Sequence, residues 1–211
     1  NILEKEVKIN RYRQVASQDG INYHLVFNTT PFYAEGGGQV GDTGVIVNKD
    51  TSITIVDTKK ENGLIIHFAE NLPKDIKAPF LAQVNIENRK SSARNHTATH
   101  LLHESLRSIL GGHVVQKGSL VSPSYLRFDF SHFAKITAAE LREIEWDVNN
   151  KVLSNILLEE YNDMPLNKAK ELGAIMLFSE KYEDVVRMIQ FGSSKELCGG
   201  THVNATGEIG L

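Results

Sequence analysis

The stretch "HTATHLLHESLRSILGG", His96–Gly112, decides how the chain divides. Its apolar residues stand at 98, 101, 102, 106, 109 and 110, close to the period of an amphipathic helix, and the double glycine stops it. Upstream the pattern is different. "INYHLVF" (Ile21–Phe27), "GVIVN" (Gly44–Asn48), "TSITIVD" (Thr51–Asp57), "GLIIHFA" (Gly63–Ala69) and "FLAQVNI" (Phe80–Ile86) are short and rich in β-branched or aromatic residues. The turn signals "SQDG", "NKD", "KKENG" and "NLPKD" separate them. Many short strands with short polar connections predict a small barrel or sandwich. Downstream, helices and strands mix. "TAAELREIEWDVNNKVLSNIL" opens on a capping box, Thr137 with Glu140, and Leu141, Ile144, Val148 and Val152 trace one apolar stripe. "PLNKAKEL" with Gly173 after it is a shorter helix. "SYLRFDF", "DVVRMIQF" and "SKELC" read as strands. The expected class is α+β: a β domain over residues 1–90, a boundary near Arg89–Ser92, and an α+β domain over residues 91–211.

At 41% hydrophobic and 23% charged, 211 residues can build one large or two small globular domains. A single cysteine excludes an internal disulfide and points to a reducing, cytoplasmic setting. No apolar run approaches the roughly 18 residues of a membrane span, and no signal peptide is visible. The net charge of -3 argues against attraction of the whole chain to nucleic acid. Arg89, Lys90, Arg94, Lys117, Arg127 and Lys135 are either a local basic patch or, more commonly for such residues, solvated surface. The start at Asn1 and the ending "GEIGL" read as an excised segment of a longer chain.

The dividing helix also carries chemistry. His96 and His100 are four apart, so their side chains share one face. That spacing lets two imidazoles bind one ion, although no Glu follows His96 as it does in the metalloprotease HExxH motif. His103 is a weaker candidate for the same face. The one cysteine stands in "CGGTH", Cys198–His202, where a double-glycine turn separates a thiol from a further imidazole. By itself HxxxH is a polar helix face, and a lone Cys beside Gly-Gly is a small buried hydrophobe at a turn. Together, three nitrogens and one sulfur form the tetrahedral set that zinc prefers. The long separation of His100 from Cys198 requires a folded domain to unite them, unlike a compact zinc finger.

"NHTATHLLH", "QKGSLV", "LRFDFSH", "ELCGGTHV" and "ATGEIG" resemble the editing domain of alanyl-tRNA synthetases, as does "TPFYAEGGGQVGDTG" (Thr30–Gly44) in the β part. Free-standing alanyl-tRNA editing proteins share these motifs. Threonyl-tRNA synthetase carries a related editing domain without the glycine-rich β part. The resemblance implies a small β-barrel followed by an α/β two-layer sandwich of the threonyl/alanyl editing type, with a cleft between. It implies hydrolysis of the ester joining serine or glycine to alanine tRNA, tRNA(Ala), and one zinc held by His96, His100, Cys198 and His202. ATP and magnesium would serve only an aminoacylation part outside these residues. The segment itself is expected to be monomeric and free of membrane.

By the same resemblance Thr99, Gln116 and Ser119 belong to the amino-acid pocket, with Gln116 and Thr99 as catalytic groups. A Gln amide can donate to a carbonyl and accept from an amine. In "LRFDF", Leu126, Phe128 and Phe130 share one strand face, and Arg127 shares the other with Asp129. Arg127 suits either a wet face or a phosphate or terminal adenosine of the substrate. The Gly36–Gly38 run, with Gly37 and Gly38 in the candidate site, offers backbone N–H groups to substrate but lacks a nucleotide-loop lysine and a following helix. Thr30 is short, stiff at χ1 and followed by Pro31, which suits it to reading a serine hydroxyl. Two other readings stay open: a non-catalytic tRNA-binding module with a structural zinc, and a free-standing trans-editing deacylase. Four protein ligands close a tetrahedral site, whereas catalytic zinc keeps one position open.

Overall fold

The computed structural model describes residues 2–17, 20–49, 51–176 and 182–210. Two compact units divide the chain, Asn1–Lys90 and Ser91–Leu211. Gln18, Asp19 and Asp50, in two of the expected turns, lie outside the described residues.

The first unit is made of β1 (Glu4–Val7), β2 (Ile9–Ser17), β3 (Gly20–Phe27), β4 (Gly44–Val47), β5 (Ser52–Glu61), β6 (Leu64–Ala69) and β7 (Phe80–Val84). They form one antiparallel sheet in the order β1-β7-β4-β5-β6-β3-β2. β1 and β2 stand at opposite ends of that order, yet Lys8 alone joins them. A flat sheet would hold them roughly 29 Å apart, at about 4.8 Å per strand gap. Two residue steps reach only about 7 Å. The sheet therefore curls on itself around a core that includes Leu25, Ile46, Ile55 and Phe80. Among the described residues no β-ladder joins β1 to β2. The expected barrel is thus a curled sheet whose edges meet through the chain.

Along β5 side chains alternate, with Ile53 and Ile55 buried and Ser52, Thr54 and Val56 exposed. A bulge between Ile55 and Asp57 then shifts the phase, and Thr58 turns inward. That shift matters locally, because Thr58 fastens the glycine-rich loop. Its carbonyl accepts from Glu35 N–H (2.8 Å), and its hydroxyl donates to the Asp42 carbonyl (2.9 Å). β5 also runs on to Glu61, so "KKENG" supplies only Asn62 and Gly63 to the turn, with φ of 49° and 79°. Both positive values are those of a two-residue hairpin turn.

The second unit contains most of α1 (Ile86–Leu110), a helix that begins before the unit boundary. A hairpin follows, β8 (Val115–Val121) with β9 (Leu126–Ser131), then α2 (Ala138–Leu153). A three-stranded antiparallel sheet is formed by β10 (Glu159–Pro165), β11 (Val185–Phe191) and β12 (Ser194–Leu197), with α3 (Leu166–Glu171) between β10 and β11 in sequence. The α2 capping box is present, with Thr137 and Glu140 bonded reciprocally. Of the predicted stripe, Ile144 and Val152 are buried, but Leu141, in the first turn of the helix, is 53% exposed.

Residue parity on β11 separates two cores. Ile189 and Phe191 pack with Ala93 and Leu101 of α1 and Val152 of α2. Val186 and Met188 pack on the other face with Met164 and with Ala169 of α3. The two-layer expectation describes α1 and α2, and α3 adds to the opposite face. No helix among the described residues is long and apolar enough to cross a membrane.

Candidate metal centre

The helix α1 buries polar residues where an ordinary amphipathic helix buries apolar ones. His96, Thr97, Thr99, His100, His103 and Ser105 are all buried along it. Such burial is costly unless each polar atom finds a partner. Across from the helix, β12 ends at Leu197 and delivers Cys198 and the Gly-Gly turn. Arg187 of β11 holds that turn from below: its Nη1 donates to the carbonyls of Cys198 (2.9 Å) and Gly200 (2.7 Å), and its Nε to Glu160 (2.8 Å).

These elements bring His96, His100, Cys198 and His202 together, with ligand atoms all within 4.8 Å of one another. Cys198 Sγ lies 3.4 Å from His96 Nε2 and 3.3 Å from His202 Nε2. The three imidazole ring centres are 4.5 to 5.2 Å apart. Burial is the main cause that pushes the His96 and His202 pKa well below the ordinary value, helped by the neighbouring imidazoles and Arg187. Burial likewise lowers His100, while Glu196 pulls it back up. All three rings are therefore neutral near pH 7, the form that ligates a metal.

Two observations test whether the group fits a cation. The donor set is one sulfur and three imidazoles, suited to a borderline-soft divalent ion. And His100 Nδ1 is buried with no hydrogen-bond partner, an arrangement that a bound cation explains and that is otherwise rare. The surroundings fit as well. His202 Nδ1 lies 3.1 Å from Thr97 Oγ1, and that hydroxyl also accepts from Val203 N–H. Gly200 N–H points at Cys198 Sγ (3.3 Å). Glu196 Oε2 lies 3.6 Å from His100 Nε2, and its Oε1 bonds His103 Nδ1 (2.9 Å). His103 is thus outside the four-residue cluster and braces it through Glu196. Such outer partners orient ligands and fix their tautomers.

The other candidate residues fall in several places. Thr99 is buried on α1, and its hydroxyl donates back to the Asn95 carbonyl (2.8 Å). Gln116 and Ser119 meet on β8, amide nitrogen to hydroxyl, at 3.1 Å. Arg127 is exposed and bonded to Asp129, its neighbour on the outer face of β9. Thr30, Gly37 and Gly38 belong to the first unit. Gly37 and Gly38 have φ of 57° and 82° and are the central residues of a tight turn closed by Gly36 and Gln39, which exchange backbone bonds of 3.0 and 3.1 Å.

One basic residue is not on the surface. Arg89 is 6% exposed, and its guanidinium forms a forked ion pair with Asp42 and donates to the Pro31 carbonyl (3.0 Å). Asp42 also accepts from Tyr33 N–H (2.6 Å). The expectation of solvated surface fails here because Arg89 closes the glycine-rich loop. Sequence reasoning missed Asp42, Thr97, Arg187 and Glu196. Glu196 alone left a trace, since it stands two residues before Cys198 and so on the same strand face.

Comparison with known proteins places this architecture. Residues 3–89 match the family model described as tRNA synthetases class II (A), and residues 186–211 match the threonyl and alanyl tRNA synthetase second additional domain. Relatives named alanine–tRNA ligase are 58% identical over 208 residues in Bacteroides fragilis, 53% over 210 in Parabacteroides distasonis and 54% over 216 in Flavobacterium psychrophilum. Those alignments cover 98–100% of this chain. The chain belongs to the alanine–tRNA ligase family. It spans about a quarter of the length of these relatives, 24% of each.

Proposed function

We propose that this chain is the editing part of an alanine–tRNA ligase and hydrolyses the ester of seryl- or glycyl-tRNA(Ala), with one zinc held by His96, His100, Cys198 and His202. The observation that carries the reading is the buried cluster of four donors, one of them with an orphaned nitrogen. A zinc ion in such a site can polarise an ester carbonyl or lower the pKa of water. The chain's own residues do the rest. Neutral imidazoles and the Cys198 thiolate hold the ion, Thr97 and Glu196 hold two of the imidazoles, and Arg187 holds the loop that carries the sulfur. Gln116 and Thr99 act at the reacting ester, with Ser119 placing the Gln116 amide. Thr30, Gly37 and Gly38 bind the amino-acid end, and Arg127 meets the tRNA end. ATP and magnesium belong to the aminoacylation part of the whole ligase, which would work in the cytoplasm. The segment alone would be a monomer that binds mischarged tRNA(Ala).

Incubation with seryl-, glycyl- and alanyl-tRNA(Ala) tests this, following ester loss against the spontaneous rate. The expected outcome is faster loss of seryl and glycyl esters and protection of the alanyl ester. Four protein donors favour one competing reading, a tRNA-binding module with a closed structural zinc. Tight tRNA binding with no accelerated hydrolysis at full zinc occupancy would establish that module.

A further inference from the structure

We propose that His67 is a positioning residue that fixes the Thr30 hydroxyl as a hydrogen-bond acceptor, so that Thr30 recognises a substrate bearing a hydroxyl donor. This inference rests on the proposed reading of Thr30 and deepens it.

Proton positions within the first unit fix the direction of each bond. β3 and β6 pair so that Leu25 stands directly opposite His67. His67 Nδ1 lies 3.1 Å from the Leu25 carbonyl. A carbonyl only accepts, so Nδ1 carries a hydrogen. His67 is 1% exposed, and burial lowers its pKa to about 4, so near pH 7 the ring is neutral and Nε2 is bare. Nε2 lies 2.8 Å from Thr30 Oγ1. A bare nitrogen only accepts, so the Thr30 hydroxyl must give its one hydrogen to His67. Phe32 N–H donates to the same oxygen at 3.1 Å. A hydroxyl has one hydrogen and two lone pairs. The hydrogen and one lone pair are committed, and one lone pair is left.

The rotor is therefore set before substrate arrives. Phe27 stacks on the imidazole at 4.0 Å between ring centres, and Phe32 meets it edge-on at 5.4 Å, so the ring cannot turn away. Phe32 is itself anchored in the core, and the loop beyond it is tied down by Asp42 and Arg89. What remains at Thr30 is an acceptor in a fixed direction, made more basic by the bond it donates. A serine hydroxyl can donate to it. Alanine and glycine have nothing to donate, and they leave the acceptor unpaired.

Two measurements on the 211-residue chain test the inference. Nitrogen NMR of His67 at neutral pH should show Nδ1 protonated and Nε2 bare; the opposite tautomer overturns the proposal, whatever the activity. The second compares seryl- with glycyl-tRNA(Ala) hydrolysis in Thr30→Val, His67→Phe and His67→Gln. His67→Phe keeps a ring but removes the acceptor, and the seryl rate should fall roughly tenfold more than the glycyl rate. His67→Gln restores an acceptor and should recover most of that difference. Equal loss on both substrates in His67→Phe overturns the positioning role. If Thr30→Val shifts the seryl-to-glycyl ratio while His67→Phe does not, Thr30 reads the hydroxyl without His67. If Thr30→Val leaves the ratio unchanged, the reading of Thr30 itself fails, and this proposal with it.

Discussion

Buried polar groups are handled in opposite ways in the two units. In the first, Asp42, Arg89, Thr58 and His67 are each engaged by protein partners. In the second, His96 and His100 of α1 crowd together with His202 and the Cys198 sulfur, and His100 Nδ1 has no hydrogen-bond partner. His103 Nε2 is orphaned as well. Among the described residues no other buried side-chain nitrogen or oxygen lacks one. A satisfied imidazole can orient a neighbour, as His67 does. An unsatisfied buried nitrogen is rare, and at His100, inside the four-donor cluster, a bound cation would supply the missing partner. Histidine therefore stands in two settings: His67 is bonded at both nitrogens, and His100 sits in the four-donor cluster with one nitrogen unpartnered.

The comparison breaks most completely at the metal centre. His96→Ala with His100→Ala should abolish metal binding, taking zinc from about one equivalent per chain to none by elemental analysis. Hydrolysis of seryl-tRNA(Ala) should go with it. A chelator should lower the melting temperature of the parent protein, because a ligand bound only to the folded state stabilises it, and leave the double variant unmoved. Full zinc in the double variant would dissolve the contrast between the units.

The satisfied unit has its own breaking point. Asp42→Ala leaves the buried Arg89 guanidinium without its counter-charge, and removing one partner of a buried pair typically costs about 3–5 kcal/mol. Urea unfolding should show that loss. Replacing both partners, Asp42→Leu with Arg89→Met, should recover a large part of it, because no charge is then stranded. If Asp42→Ala costs under about 1 kcal/mol, the loop does not depend on the pair.

How far these contrasts were legible in the sequence depends on how each residue's partner is signalled. Strands β3 to β7 announced themselves through β-branched runs, and α2 through its capping box. β2 and β10 did not, because "INRYRQVAS" and "EEYNDMP" carry too little apolar alternation; β10 has one buried residue in seven. The four clustered donors were legible as candidates because HxxxH and CGGTH are local patterns. Asp42 with Arg89, and His67 with Thr30, were not, because the partners stand 37 or more positions apart and only the folded chain brings a loop residue to a helix or a strand. A buried arginine looks like a surface arginine until its partner is placed.

Gln116 sharpens the comparison within the second unit. Its amide nitrogen bonds Ser119, so it is satisfied internally, like His67. If that bond serves to aim the amide at developing charge, Gln116→Ala should slow single-turnover deacylation by about 10²–10³ while zinc content stays at one equivalent. Ser119→Ala should slow it less, since the amide remains. Rates within about twofold of the parent would make Gln116 a strand residue and nothing more.

The smallest effect is also the most direct measure of a satisfied imidazole. Burial holds the folded pKa of His67 at about 4, against 6.5 for the ordinary ring, with the Leu25 carbonyl pulling weakly the other way. A lowered pKa means the unfolded chain binds the proton more readily than the folded one. Stability from this group is therefore fully present above pH 6.5 and is lost as pH falls from 6.5 through about 4. At 1.36 kcal/mol per unit the whole loss amounts to roughly 3 kcal/mol. The parent chain and His67→Phe share every other histidine, so the difference between their unfolding free energies isolates His67. That difference should shrink on acidification across the window and be flat above it. Parallel curves would mean that His67 is not held neutral. Below the window a proton on Nε2 would donate to Thr30, turn its hydroxyl outward as a donor, and remove the acceptor proposed to read a substrate hydroxyl.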